Sequence, residues 1–274
     1  MNEWGVLPPR TGRARWRAIG RLGWFAIASW GVVASALLAV CTRFPRRWVR
    51  TAPYIARWAR LGRRCLGLEV VVLGQLPPAG SLVVANHQGW LDIPTIGGVG
   101  PCIFAARHDM RSWPLFGALA SSGATIFINR HSKRAGARGI QQVGQALEAG
   151  ATVIGFPEGT SSGGGMLPFR TGLFEAAVVA QVPVVPATIR YLTLDGAEID
   201  ADRLRIVGWF DGEPFLAHAL QLASHRVVQA TVRFGSPIPP PHADRRGLAA
   251  MAEKAVRELL EKPRLPDRRD DRPI

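Results

Sequence analysis

The chain alternates short apolar runs with turn-formers and stretches of helical period. Glu69-Val70-Val71-Val72-Leu73 reads as a strand and is closed by Pro77-Pro78-Ala79-Gly80. Leu82-Val83-Val84-Ala85 is apolar without alternation, which predicts a strand buried on both faces. Residues 102–106, 125–128, 152–156 and 184–190 also read as strands, with helical patterns between them at 135–149 and 173–180. This order of elements predicts an α/β domain with a largely parallel central sheet flanked by helices. Residues 228–234 form a late strand, which Gly235-Ser236-Pro237-Ile238-Pro239-Pro240-Pro241 ends, and 244–261 read as a closing helix. The domain is therefore expected over 68–262, followed by a Pro- and charge-rich tail, 263–274, of the composition that stays disordered.

Ahead of the domain the pattern changes. Residues 1–22 are basic, through Arg10, Arg13, Arg15, Arg17 and Arg21, and the 19 residues from Gly23 to Cys41 carry no charge. That run approaches the ~20 residues needed to span a bilayer, so a hydrophobic membrane helix over 23–41, spanning or re-entrant, is expected. The competing readings are a buried or surface helix and a signal peptide, the latter disfavoured because no small-x-small cleavage site follows. Trp30 and Trp48 are candidate interfacial anchors, and Arg43, Arg46, Arg47 and Arg50 resume the charge on the far side. Both flanks are Arg-rich, so charge asymmetry selects no orientation. The following segment places Arg57, Arg60, Arg63 and Arg64 among Ile55, Trp58 and Leu61. It reads as an amphipathic helix on an anionic membrane or as an ordinary solvated helix face. Residues 1–67 are thus expected to form a basic, membrane-associating region.

Charge and composition narrow the partners. A formal net charge of +14, carried mostly by arginine, calls for a polyanionic surface, either nucleic acid or anionic lipid. No zinc-finger spacing or aromatic RNA-binding signature accompanies it, and the uncharged N-terminal run favours lipid; nucleic acid is not expected. Three widely spaced cysteines, Cys41, Cys65 and Cys102, suggest neither a disulfide framework nor a metal site. His108 and His131 lack ligand spacing, and no phosphate loop or dinucleotide fingerprint is present, so no metal and no bound cofactor is expected.

Candidate chemistry concentrates just beyond the strand at 82–85, in Asn86-His87-Gln88-Gly89-Trp90-Leu91-Asp92. Ligand sites of open α/β sheets lie beyond the carboxyl ends of strands. His87 and Asp92 would face different sides of a continuous helix, so they can meet only across a turn. Asp92, two residues before Pro94, has the form of a helix N-cap. A carboxylate there can fix the tautomer of His87 and stabilise its imidazolium, which makes His87 a candidate general base toward a hydroxyl. Phe156-Pro157-Glu158-Gly159-Thr160 follows another strand end. Gly159-Thr160-Ser161-Ser162-Gly163 also fits Gly-x-Ser-x-Gly, but a nucleophile elbow passes directly into a helix, whereas Gly164-Gly165 follow here. A serine hydrolase and a non-catalytic lipid- or nucleic-acid-binding module are the rival classes.

Four blocks in order resemble the lysophospholipid (glycerolipid) acyltransferase family, over about residues 68–192. They are Asn86-His87-x4-Asp92, Gly123-Ala124-Thr125-Ile126-Phe127-Ile128-Asn129-Arg130, Phe156-Pro157-Glu158-Gly159-Thr160 and Val182-Pro183-Val184-Val185-Pro186. The resemblance implies a single glycerolipid-acyltransferase-like domain that moves a fatty acyl group from a thioester, acyl-CoA or acyl carrier protein, to the free hydroxyl of a lysolipid. His87 and Asp92 would be catalytic. Arg130, Glu158, Gly159, Thr160 and Arg170 would bind the acceptor, which family prevalence makes 1-acyl-sn-glycerol-3-phosphate. Arg107 stands where the family commonly has Lys. The third block departs at Ser161, where the family usually has Arg, and a branch acting on lyso-ornithine lipid is similar there. An enzyme of this kind would lie on the inner membrane with its site facing the cytoplasm.

Overall fold

The structure, a computed structural model, describes residues 12–40, 47–112, 117, 125–129, 131–162, 165–209 and 213–263. Eight strands form one sheet: β1 (Leu68–Leu73), β2 (Leu82–Ala85), β3 (Ile103–Arg107), β4 (Ile126–Ile128), β5 (Val153–Gly155), β6 (Val184–Leu194), β7 (Ala197–Glu198) and β8 (Val228–Phe234). The order across the sheet is β1-β8-β6-β2-β5-β3-β4, with β7 paired to β6. β6, β2, β5, β3 and β4 run parallel, as expected. β8 runs antiparallel to β6 and parallel to β1, so the last two strands reverse direction at one side. The unbroken apolar run of β2 has its cause in this order: β2 lies between β6 and β5, and all four of its residues are buried.

Helices α1 (Gly12–Val40), α2 (Arg47–Leu66), α3 (Asp92–Gly97), α4 (Lys133–Glu148), α5 (Phe174–Ala180), α6 (Ala201–Val207), α7 (Phe215–Ser224) and α8 (Arg245–Glu261) flank the sheet. The expected helices at 135–149, 173–180 and 244–261 are α4, α5 and α8, with Asp244 capping α8 through Arg246 N and Gly247 N. β7, α6 and α7 occupy a stretch for which hydropathy predicted no element. Their longest member has ten residues, too few turns for a sustained period. The expected tail lies outside the described residues from 264 onward.

The N-terminal region differs from its sequence reading. One helix, α1, runs from the basic segment through the uncharged one, and among the described residues no helix is long and apolar enough to cross a membrane. The expected membrane-spanning helix at 23–41 is therefore not found. α1 instead buries part of its surface against protein. Ala18 and Ser29 are buried, the Phe25 and Trp58 rings lie 5.3 Å apart, and the Trp58 indole donates to Ser29 Oγ. Arg21 donates to the carbonyls of His225 at 2.5 Å and Arg226 at 3.2 Å, beyond the end of α7. α2 packs through Trp48, Ile55, Ala56, Ala59 and Leu66. Two of its arginines turn inward as well: Arg63 donates to Pro94 O and Thr95 O, and Arg60 to Gly98 O. These carbonyls lie at the C-terminal end of α3, where unpaired acceptors and the helix dipole favour a cation. Burial, aided by Arg60, lowers the Arg63 pKa to about 10, which leaves it charged at neutral pH. α2 therefore presents only part of its basic charge to solvent.

Candidate active site

The loop after β2 is fastened before it reaches His87 and Asp92. Asn86 continues the sheet with its side chain: Nδ2 donates to Ile189 O at 3.0 Å, and Ile189 N–H donates to Oδ1 at 2.8 Å. His87 and Asp92 then meet across the turn, with Nδ1 and Oδ2 2.8 Å apart. Asp92 is fully buried. Its Oδ2 also accepts the N–H groups of Gln88 (2.6 Å) and Gly89 (3.0 Å), and its Oδ1 accepts the Tyr191 hydroxyl at 2.7 Å. Two backbone amides can only donate, so Oδ2 carries no proton and His87 Nδ1–H is the donor. Nε2 is then the basic nitrogen, and among the described residues it has no hydrogen-bond partner. The side chain is 21% exposed. Phe156 stacks on the imidazole, centroids 4.2 Å apart and planes 18° from parallel. A ring held at one nitrogen and over one face can take a proton from a hydroxyl brought to Nε2.

The expected capping role of Asp92 is not the one observed. Leu91 occupies the cap position of α3, and the Asp92 carboxylate folds back onto the loop that precedes it. Asp92 thus shapes the His87 loop rather than the helix, and as a buried anion with four donors it is also a structural residue.

Glu158 likewise departs from the expectation of a group facing the acceptor. It is 2% exposed, and both of its oxygens accept backbone N–H groups, Oε1 from His87 and Oε2 from Leu167, each at 2.8 Å. Desolvation raises its pKa, and the two N–H bonds oppose that rise. The turn that carries it closes through Gly159 N–H to Phe156 O, with Gly159 at φ 84°, a conformation that favours glycine. Gly159 and Thr160 lie in this turn beside the His87 loop. Ser162 then donates to His87 O through both its N–H (2.9 Å) and its hydroxyl (3.1 Å). Ser161 Oγ donates to Trp209 O at 2.6 Å. The Gly-x-Ser-x-Gly serine therefore spends its hydroxyl on a backbone carbonyl and forms no pair with His87, which removes the hydrolase arrangement.

Arg170 lies on the wall of a groove of about 850 Å³ that it shares with Phe156, Pro157, Lys133 and Arg245. Phe156 joins this groove to the His87 ring, because it lines the one and stacks on the other. Arg107 is exposed and pairs with Asp109 at 2.6 Å, which holds the Asp109 carboxyl below its usual range. Arg130 lies outside the described residues. Tyr191 and Phe156 were missed as site residues. The one available signal was register: Tyr191 shares a sheet face with Val185, Ala187 and Ile189, where a hydroxyl needs a buried partner.

Residues 68–190 match the family model described as acyltransferase. The chain is 32% identical over 226 residues to a lyso-ornithine lipid O-acyltransferase of Rhizobium meliloti (strain 1021), covering 79% of this chain and 76% of that protein. The chain belongs to the acyltransferase family. This acyltransferase is also 41% identical over 127 residues to a 1-acyl-sn-glycerol-3-phosphate acyltransferase of Neisseria gonorrhoeae, covering 46% of this chain and 50% of the relative. Its fold matches the crystal structure of the 1-acyl-sn-glycerophosphate acyltransferase of Thermotoga maritima with a TM-score of 0.60 at 22% identity, over 90% of this chain and 99% of that one. The acyltransferase is thus an enzyme, as expected, and the rival class of a binding module without catalysis is set aside.

Three outcomes follow from this geometry. His87→Ala should lower kcat at least ~10²-fold with an unfolding midpoint near that of the wild type. Asp92→Ala should lose activity and also unfold earlier, because it strands three donors and the imidazole; thermal denaturation beside steady-state kinetics checks both. Glu158→Gln replaces one acceptor with an NH₂ that faces a backbone N–H. It should lower kcat about tenfold or more while acceptor KM changes little; a rise confined to KM would restore a direct contact with substrate.

Proposed function

We propose that the protein is a membrane-associated lysolipid O-acyltransferase that moves a fatty acyl group from a thioester, acyl-CoA or acyl carrier protein, to the free hydroxyl of 1-acyl-sn-glycerol-3-phosphate. The observation that carries acyl transfer to a hydroxyl is the His87–Asp92 pair, with Nδ1 committed to the carboxylate and Nε2 unengaged among the described residues. The base takes the acceptor proton as its oxygen attacks the thioester carbonyl. The donor is already activated, so no covalent enzyme intermediate is needed. The 41% identity to the Neisseria relative across the catalytic core supports the acceptor. Arg170, with Lys133 on the same groove, supplies cationic groups suited to a phosphate. Arg130 belongs to this reading as a further phosphate ligand, and Gly159 and Thr160 as residues beside the acceptor.

Lyso-ornithine lipid is the second reading, and two observations favour it. The Rhizobium relative aligns over 79% of this chain, well beyond the catalytic core. Residue 161, where an arginine could hold a phosphate, is a serine tied to Trp209 O.

The membrane reading rests on the exposed face of α1. Trp16, Ile19, Trp24, Ile27 and Trp30 are all exposed, the three tryptophans at 75%, 61% and 59%. At about 100° per residue they fall on one side of the helix. Tryptophan places an apolar ring and a polar N–H at the level of lipid headgroups, and Arg13, Arg15 and Arg17 of the same helix suit anionic lipid. We place the enzyme on the cytoplasmic side of the inner membrane, lying on the bilayer through α1.

Two measurements test these readings. With one labelled thioester donor and both lysolipids, turnover of lysophosphatidate should exceed that of lyso-ornithine lipid; turnover confined to the latter overturns the first acceptor. Sedimentation with anionic vesicles should fall at least fivefold when Trp16, Trp24 and Trp30 are all replaced by Ser. That dependence should persist in high salt, which screens charge and leaves apolar burial intact; loss of all binding in salt would assign the attachment to charge alone.

A further inference from the structure

Trp90 lies between His87 and Asp92 in the chain, and its indole N–H donates to His218 Nδ1 at 3.0 Å. An indole nitrogen is a donor only, so Nδ1 carries the lone pair and the proton resides on Nε2. That nitrogen meets Gly208 O at 2.5 Å. His218, on α7, is 1% exposed, and burial lowers its pKa below the ordinary histidine value. It is a neutral imidazole with its one donor and its one acceptor both in use.

What His218 holds on its far side is a strap that touches both catalytic loops. The residue after Gly208, Trp209, donates its N–H to Gln88 O at 3.0 Å and accepts Ser161 Oγ at 2.6 Å. The strap also presses on Gly89, where an added Cβ would come within 2.6 Å of Trp209 N. Trp90 and Trp209 both meet the Phe215 ring edge-on, with centroids 5.4 Å and 6.2 Å away. His218 thus bonds to the indole inside the His87–Asp92 loop and to the strap that closes over that loop.

We propose that His218 is a positioning residue for acyl transfer: by bridging Trp90 to the Gly208–Trp209 strap it sets the loop geometry in which His87 and Asp92 meet. Neither Trp90 nor His218 bonds the side chain of His87 or Asp92 directly. Their contribution is the placement of His87 Nε2, and small misplacements of a catalytic group are costly in rate. The inference rests on His87 as the base and is independent of which lysolipid is the acceptor.

The test uses the full-length enzyme and the variants His218→Leu, His218→Gln and Trp90→Phe. Four quantities are read: kcat, acceptor KM, the thermal unfolding midpoint, and the downfield proton NMR signal of His87 Nδ1–H without substrate. His218→Leu should lower kcat about 10- to 100-fold with KM within about threefold, and should shift or broaden the His87 signal. His218→Gln, whose amide offers one acceptor and one donor, should recover most of kcat. Trp90→Phe should lower kcat and move the same signal. A folded His218→Leu enzyme with unchanged kcat and an unmoved signal overturns the proposal, as does an equal loss in the Gln and Leu variants or an effect on KM alone. If His218→Leu does not fold, Trp90→Phe decides, and kcat within twofold of wild type with an unmoved signal overturns it. The signal is read without turnover, so the two readings fail separately. No turnover by the wild type counts against acyl transfer, and an unmoved signal counts against the bridge.

Discussion

The site depends on one buried carboxylate. Asp92 lies in the first turn of α3 with no exposure to solvent, and it receives four donors, two from the adjacent backbone, one from His87 and one from Tyr191. Removing a carboxylate from water costs several kcal/mol unless its oxygens are satisfied, and a hydrogen bond to a charged group contributes about 1.5–3 kcal/mol. The loop adopts the conformation that supplies those donors. The imidazole is one of them, so the interaction that stabilises the loop also determines which nitrogen of His87 stays basic. Loop stability and the placement of the imidazole meet on one group.

Glu158 complements it from the next strand. Asp92 holds the His87 ring, while Glu158 holds the His87 backbone N–H and, through its other oxygen, the Leu167 N–H. Ser162 returns two bonds to the His87 carbonyl from the same loop. The loops after β2 and β5 are adjacent because their strands pair in parallel, Val84 beside Gly155. On the other side of β2, β6 presents Ile189 to Asn86 and Tyr191 to Asp92. A register shift in the β6–β8 pairing falls immediately after Tyr191, and bulges of this kind re-aim side chains beside active sites.

The N-terminal helices extend this framework outward. Arg63 and Arg60 hold the carbonyl end of α3 while the other end carries Asp92, and Arg21 holds carbonyls beyond the end of α7, the helix that carries His218. A net charge of +14 invites a reading in terms of polyanionic partners. Part of that charge is instead turned toward the protein's own carbonyls, at the end of α3 and just beyond the end of α7.

The sequence by itself determined the sheet strands other than β7, and the pairing of His87 with Asp92. The strand run at 82–85 is legible because burial on both faces imposes an unbroken apolar composition on consecutive residues. His87 and Asp92 are legible because both lie in one short loop, and the order of four local blocks carries the family. Tertiary structure alone decided the rest. That Glu158 bonds His87 N–H rather than an exposed ligand, that Tyr191 closes the shell of Asp92, and that His218 meets Trp90 all depend on contacts 71, 99 and 128 residues apart. No local periodicity encodes such a pairing, because each residue taken in its own segment is compatible with several environments. The N-terminal helix shows the same limit: an uncharged run of 19 residues reads first as a bilayer span, yet its length and composition also suit a helix laid on protein. Its packing against α2 and α7 is a property of surfaces brought together only in the folded chain.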